Sequence, residues 1–440
     1  MASIHWFENL CPGKFHRGIL IPKADMESLP ELAKNLKHNF IANVLDGTFF
    51  GLGLGFSSFA TVIPLFVSNL TDSATLIGLI PAVHNVGWML PQLLTAKSVS
   101  RMKRFKPAVV FWTIQERWPF FGLALVAALM GWLTKPAALL LTFALLILQG
   151  LGAGMTANPW QNMIAKIIPS NIRGTFFGMQ SGAANLLGGA GAVAAGFILE
   201  KMSFPDGFGL VFLICGLSMT VSFFAIAQTR EPDRTIEPLP SQQVSFWGNV
   251  GKILRQDRSF RWFIISRFIF QFGTMASAFY AVYAVKHLGM GDIAAGAMTS
   301  VLFIVQVGSN TVFGWLGDKI GHMPVLRLGA VCAVIAAGLA FIAPSAGWFF
   351  AVMVFAGVAN SVFWTIGMVL TMEFGTEKDR PTYVGLANTL IAPAAVLAPL
   401  LGGWIADQFS FQHTFAVAIA FALVSLAVLV RFVRRDKVKY

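Results

Sequence analysis

Gly314-Trp315-Leu316-Gly317-Asp318-Lys319-Ile320-Gly321-His322 is a short polar interruption between two apolar runs, residues 293–316 and 327–344. Gly314 leaves room for a close helix approach, and Gly321 suits a tight turn. Asp318 can accept backbone N–H groups at a neighbouring helix N-terminus, and Lys319 places a charge at a lipid surface. Each flanking run matches the ~17–25 residues of a bilayer-spanning helix. The stretch reads as a turn between two membrane helices.

Working outward from it, further apolar runs lie at 40–68, 75–96, 108–131, 137–163, 175–199, 208–228, 262–285, 347–371, 382–406 and 413–431, giving twelve in all. Composition agrees. The 440 residues are 56% hydrophobic and 12% charged, about half the roughly 25% charge of a soluble protein. Mean hydropathy is +0.69. These values exclude a soluble enzyme, a disordered chain and a nucleic-acid-binding protein, despite the net charge of +12. Residues 1–38 hold no uninterrupted apolar run, so a cleavable signal peptide is not expected. Ser28-Leu29-Pro30-Glu31 reads as a capping box that opens a juxtamembrane helix.

The basic residues test the span count, because Lys and Arg are retained on the cytoplasmic side. With both termini inside, 27 of the 32 Lys and Arg fall on inside segments. Outside loops hold Lys135, Lys201 and Lys286 alone, and Arg117 and Arg267 lie within spans. The expected protein is therefore an all-α polytopic inner (plasma) membrane protein with twelve transmembrane helices and cytoplasmic ends. The net +12 records orientation and contact with anionic lipid.

The longest loop, 229–261, contains Glu231-Pro232-Asp233-Arg234 and divides the chain into six spans plus six. The expected organisation is a tail (1–38), an N-terminal six-helix bundle (39–228), the central cytoplasmic loop (229–261), a C-terminal bundle (262–431) and a short tail (432–440). The halves also repeat. Arg173-Gly174-Thr175-Phe176-Phe177-Gly178 returns 207 residues later as Arg380-Pro381-Thr382-Tyr383-Val384-Gly385, and Gly196, Ile198 and Glu200 return as Gly403, Ile405 and Asp407. A duplicated six-helix unit with parallel repeats accounts for this.

The Gly314–His322 loop resembles the Gly-x-x-x-Asp-Arg/Lys-x-Gly-Arg loop of the major facilitator superfamily. Twelve spans, the six-plus-six division and the basic central loop extend the resemblance over residues 39–431. It implies two rocking bundles, with Gly314, Asp318, Lys319 and Gly321 in a gating loop that latches the halves in one transport state. The first half departs from that pattern: in Ala96-Lys97-Ser98-Val99-Ser100-Arg101-Met102-Lys103-Arg104, Ser100 replaces the acid and Lys103 the second glycine. Span five carries no proline in its glycine series, so the antiporter signature is absent and no substrate subfamily follows.

Polar groups inside a bilayer are costly, which makes each one a candidate. Asp46, early in span one, and Glu116, mid-depth in span three, are candidate proton-coupling carboxylates. Mid-span His84 is a candidate relay, since histidine titrates near neutrality. Arg117 and Arg267 could neutralise a carboxylate or an anionic substrate. Gln149, Gln271, Gln306, Asn310, Asn360 and Trp364 lie at depths that suit hydrogen bonding and stacking around a midplane cavity. Pro119 should disturb span three by freeing the carbonyl of Gln115. Cys11, Cys215 and Cys332 offer no disulfide framework, no metal-ligand spacing occurs, and no phosphate-binding loop points to ATP. No cofactor is expected.

Read together, these features lead to a monomeric secondary transporter of a small organic molecule, working by alternating access with protons as the coupling ion. The apolar, aromatic- and Met-rich spans favour export of an amphipathic compound. A sugar-uptake permease and a non-transporting receptor or assembly protein on the same fold are the alternatives.

Overall fold

The computed structural model describes residues 29–100, 102–233, 251, 253–374 and 380–433. Among them the chain forms twelve helical passes and no strand. Nine helical segments are long and apolar enough to cross a membrane on their own. The other three passes are Leu29–Phe56 with Val62–Leu70, Ala74–Ser100, and Lys106–Arg117 with Pro119–Ala128. Pro119 divides span three as its chemistry requires, because it lacks the N–H that would continue the ladder.

Spans one and seven are both interrupted. Residues 57–61 separate the two helices of the first pass, and Met275–Ala278 forms a 3₁₀ turn between Arg258–Gly273 and Tyr280–Lys286. Span ten (Trp348–Ser361, Gly367–Glu373) contains a π-helical turn at Val362–Ile366, a feature that often marks functional positions. Span one is already helical at Leu29, so no joint separates a juxtamembrane helix from it. Ser28 of the capping box and Cys11 lie outside the described residues.

Two bundles of six result. We call the end that carries residues 29 and 433 the tail side, and its opposite the far side. In the far half the bundles touch backbone to backbone. A Cβ on Gly78 of span two (Ala74–Ser100) would stand 2.3 Å from the Pro399 carbonyl of span eleven (Arg380–Gln408), and one on Gly403 2.5 Å from that of Ala74. Spans five (Ser170–Lys201) and eight (Asp292–Ile320) repeat the arrangement: Gly196 abuts Asp292, and Gly296 abuts Ala192. Thr61 and Thr299 hydrogen-bond across this seam. Toward the tail side the same two helices part. A Cβ on Gly178 or Gly182 of span five, or on Gly308 or Gly314 of span eight, would meet nothing within 4 Å. The structure is closed on the far side and open on the tail side.

The two repeat acids hold this closure. The Asp407 carboxylate accepts hydrogen bonds from the Thr75 N–H (2.8 Å), the Ala74 N–H and the Ser73 hydroxyl (3.0 Å) at the start of span two. Glu200 accepts from the Ile293 N–H (3.0 Å) at the start of span eight. Each acid satisfies orphan N–H groups at a helix N-terminus in the opposite bundle, where the helix dipole also favours negative charge.

On the tail side, the first residues of the central segment are fixed to the N-terminal bundle. The buried Glu231 carboxylate accepts from the N–H groups of Phe105 (2.8 Å) and Lys106 (2.7 Å) and pairs with Lys166 of span four (2.9 Å). It thereby caps span three and ties it to span four (Lys135–Ile167). Asn39 and Arg230 exchange two further hydrogen bonds, each 2.8 Å. Glu231→Ala is expected to lower stability by about 2 kcal/mol, the sum of a lost cap and a lost charged hydrogen bond. A thermal unfolding scan of the solubilised protein measures it, and an unchanged midpoint would contradict the capping role.

Candidate functional site

The intramembrane charges divide between the bundles very unequally. In the N-terminal bundle, Arg117 of span three is 3% exposed and Asp46 of span one 4%. One Arg117 terminal nitrogen donates to Asp46 Oδ1 at 2.7 Å, and the other to Glu116 Oε2 at 3.2 Å. Ser222 of span six (Asp206–Ala227) donates to the same Asp46 oxygen at 2.6 Å and accepts from Arg117 at 3.0 Å. Thr113 donates to Glu116 Oε2 at 3.2 Å. The cluster stitches spans one, three and six together on the tail side of their middle. Glu116 is its more open member, with a side chain 12% exposed against 6% for Asp46. Gly152 of span four passes directly against the backbone of Gln115 and Glu116.

Charge counting sets what this cluster can do. Two carboxylates share one guanidinium, so the group is neutral with one proton bound and carries one net negative charge without it. In a dry interior those two states differ strongly in cost. The arrangement is an interhelical tie whose net charge turns on one proton. Sequence reading selected Asp46, Glu116 and Arg117 but did not bring Asp46 to the other two. It missed Ser222, because a serine in an apolar helix carries no distinguishing pattern.

His84 stands apart from the cluster. Its Nδ1 lies 3.2 Å from Gln149 Oε1, joining spans two and four, and its ring packs on Phe59 with centroids 4.5 Å apart. Gln149 is therefore buried as the partner of His84. Asn85, one residue on, donates to the Ala395 carbonyl of span eleven at 3.3 Å, across the bundle interface.

The remaining candidates lie on spans seven, eight and ten. Trp364 of span ten is 61% exposed, and its ring centroid lies 5.8 Å from that of Trp88 in span two. That contact joins opposite bundles, so the exposed Trp364 face looks into the cleft between them. Asn360, one turn before, is exposed as well. Asn310 accepts from the Thr365 hydroxyl at 2.8 Å, and the Gln306 carbonyl accepts from Ser361 at 3.5 Å, so spans eight and ten are joined at this depth. Gln271 is half-buried on span seven.

Arg267 crosses from span seven to the π-helical region of span ten. Its terminal nitrogens approach the carbonyls of Gly367 (3.4 Å) and Phe363 (3.5 Å) and the Thr371 hydroxyl (3.3 Å), with the guanidinium 5.8 Å from the Phe263 ring centroid. The glycine at 367 gives it room, since a Cβ there would come within 3.2 Å of the guanidinium carbon.

The Gly314–His322 loop has the expected turn. Gly321 adopts φ +92°, a conformation suited to glycine, between span eight and the helix His322–Ile342. Gly314 does not serve a close helix approach in this state: it faces open space, because the bundles have parted there. Lys319 lies over the Trp315 ring, 4.0 Å from its centroid. His322 pairs with Glu373 of span ten at 2.6 Å. The side chain of Asp318 lies outside the described residues. No group of three or more metal-ligating side chains occurs among the described residues.

A family model described as Major Facilitator Superfamily matches residues 113–291 and 263–440. The chain is 30% identical over 182 residues to a dipeptide and tripeptide permease A of Chromobacterium violaceum, covering 40% of this chain and 36% of that one. It is 27% identical over 167 residues to a Na(+), Li(+), K(+)/H(+) antiporter of Planococcus maritimus, covering 36% and 38%. It is 25% identical over 157 residues to the multi-drug resistance efflux pump PmrA of Streptococcus pneumoniae, covering 34% and 39%. These alignments thus span under two-fifths of each relative's length. Among solved structures, nucleoside transporter NupG superposes with a TM-score of 0.67 at 12% identity, over 90% of this chain and 100% of that one. A D-xylose-proton symporter does so with 0.67 at 17% identity, over 91% and 99%. At such identities these two speak for the fold.

Proposed function

The chain belongs to the Major Facilitator Superfamily, a family of multi-pass membrane transporters and not of enzymes, and from that premise we propose that it moves a small organic molecule by proton-coupled alternating access. The observation that carries the proposal is the Asp46–Glu116–Arg117 cluster, in which two acids share one base between spans one, three and six. Gain or loss of its one proton changes the charge inside the N-terminal bundle. A ligand or proton shifts a two-state equilibrium by its differential affinity for the states. Any difference in how the two bundle arrangements solvate that charge therefore couples proton binding to rocking.

The closed far side and open tail side supply the alternation with one of its end states. The distribution of Lys and Arg supports a cytoplasmic tail side, which makes this the inward-open state. Substrate enters beside the Trp88–Trp364 contact, where the exposed Trp364 ring favours an amphipathic compound. His84 and Gln149 tie spans two and four beside this path. The Gly314–Gly321 loop, disengaged here, is the element that meets the opposite bundle when the tail side closes.

Proteoliposomes carrying the purified protein test the proposal. Under an imposed pH gradient, wild type is expected to drive flux of a labelled solute from a broad panel. Asp46→Asn and Glu116→Gln are each expected to lose gradient-driven flux while retaining binding. Binding without flux across the panel by wild type would overturn it in favour of a receptor.

A further inference from the structure

Two guanidiniums within the spans, the buried Arg117 and the half-buried Arg267, are treated differently by the fold. Arg117 has two carboxylates within 3.2 Å. Arg267 has none among the described residues; its neighbours are two backbone carbonyls and a hydroxyl at 3.3–3.5 Å. The acid nearest along span ten, Glu373, is engaged by His322. A charge in this setting is costly unless paired. The long distances also show that its neutral acceptors leave donor capacity unused, since charged hydrogen bonds ordinarily close to about 2.7–2.9 Å.

Position turns this into a site. The partners of Arg267 run from Phe363 to Thr371, two residues before the tail-side end of span ten. Arg267 points across the C-terminal bundle to Phe363, Gly367 and Thr371, on the flank of the face that carries Asn360 and Trp364. That face borders the cleft, as the Trp88–Trp364 contact establishes. Gly367 keeps the backbone low beside the guanidinium, and the π-helical turn at 362–366 rotates span ten at this level.

We propose that Arg267 is an anion-binding residue and that the transported substrate is an aromatic or amphipathic organic anion. Its carboxylate or phosphate pairs with the guanidinium, and its apolar body lies against the exposed ring of Trp364. The inference rests on reading the cleft as the substrate path. It adds a division of labour: the N-terminal bundle holds the proton and the C-terminal bundle holds the anion. A guanidinium suits that task through its planar set of donors, which an ammonium lacks.

The test is a thermal-shift titration of the full chain in neutral detergent, with indole-3-acetate, tryptamine and indole-3-ethanol as matched probes. Wild type is expected to be stabilised by the acid alone. Arg267→Gln should weaken the apparent affinity for the acid at least about tenfold, the loss of one charged hydrogen bond, and Arg267→Lys should keep a weaker preference for it. Equal responses to the three probes, no response to the acid, or an unaltered acid response in Arg267→Gln overturns the inference. Repeating the titration with added phosphatidylglycerol separates the sources of the anion. An acid response abolished by that lipid in wild type assigns Arg267 to a headgroup phosphate and overturns the substrate reading. Retained acid preference without proton-driven flux would defeat the transport mechanism and leave the anion site standing; proton-driven flux without acid preference would defeat the anion site alone.

Discussion

Arg117→Met is expected to cost the protein about 3–5 kcal/mol, the usual penalty for removing one member of a buried ion pair, and to abolish most recovery of monodisperse protein. The reason is what remains. Asp46 keeps the Ser222 hydroxyl, but Glu116 keeps only Thr113, and both carboxylates sit at the contact of three helices. Neutralising the survivors tells this loss apart from simple loss of packing. Arg117→Met combined with Asp46→Asn and Glu116→Gln removes every charge from the cluster and is expected to recover much of the stability, because matched neutral replacement of buried ion pairs is often nearly neutral. Fluorescence-detected size exclusion after a heating series reads both variants. Equal melting of the single and triple variants would contradict the charge argument.

Gly296→Leu and Gly403→Leu are expected to eliminate transport while leaving each bundle folded. Both glycines occupy the far-side seam, where a single added Cβ would already stand 2.3 Å from the Ala192 carbonyl and 2.5 Å from the Ala74 carbonyl. Backbone cannot yield as a side-chain tip can, so the cost falls on the closed far side alone. The far-side-open arrangement, in which the seam is separated, becomes the populated one. Thiol labelling of a cysteine placed at Thr61, now buried in the seam, is expected to rise strongly in these variants. Gly314→Leu is the reciprocal case. It meets nothing in the present arrangement and is expected to leave that labelling low. Unchanged labelling in Gly296→Leu would show that the seam tolerates the bulk without opening.

Much of this architecture was legible in the chain. The length of the apolar runs and the Lys/Arg distribution yielded twelve passes, and the 207-residue repeat matched one half to the other. The repeat also flagged Glu200 and Asp407 as a matched pair. Their task was not legible, because it consists of capping helices of the other bundle, and sequence carries no record of which N-terminus an acid will face. Glu231 illustrates the same gap. It reads as part of a polar loop, yet it is buried against Phe105, Lys106 and Lys166. At the site, rarity in an apolar background was enough to select Asp46, Glu116, Arg117 and Arg267 as special. It could not say that the first three form one cluster while the fourth has no acid partner, since that distinction depends on helix rotation. Ser222 and Thr61 were invisible for a simpler reason: hydroxyls in membrane helices ordinarily bond their own backbone.

The most direct test of coupled alternating access needs no substrate. Spin labels at exposed Lys135, the first residue of span four, and at exposed Ser345, in the loop before span ten, lie on the far side in opposite bundles and report the separation of the bundles there by double electron–electron resonance. The expected result is a distance distribution that redistributes between two populations as pH is changed. That redistribution should be lost when Asp46→Asn and Glu116→Gln are combined and the cluster can no longer exchange its proton. A single pH-independent distance in wild type, or an identical pH response in the double variant, would contradict the account.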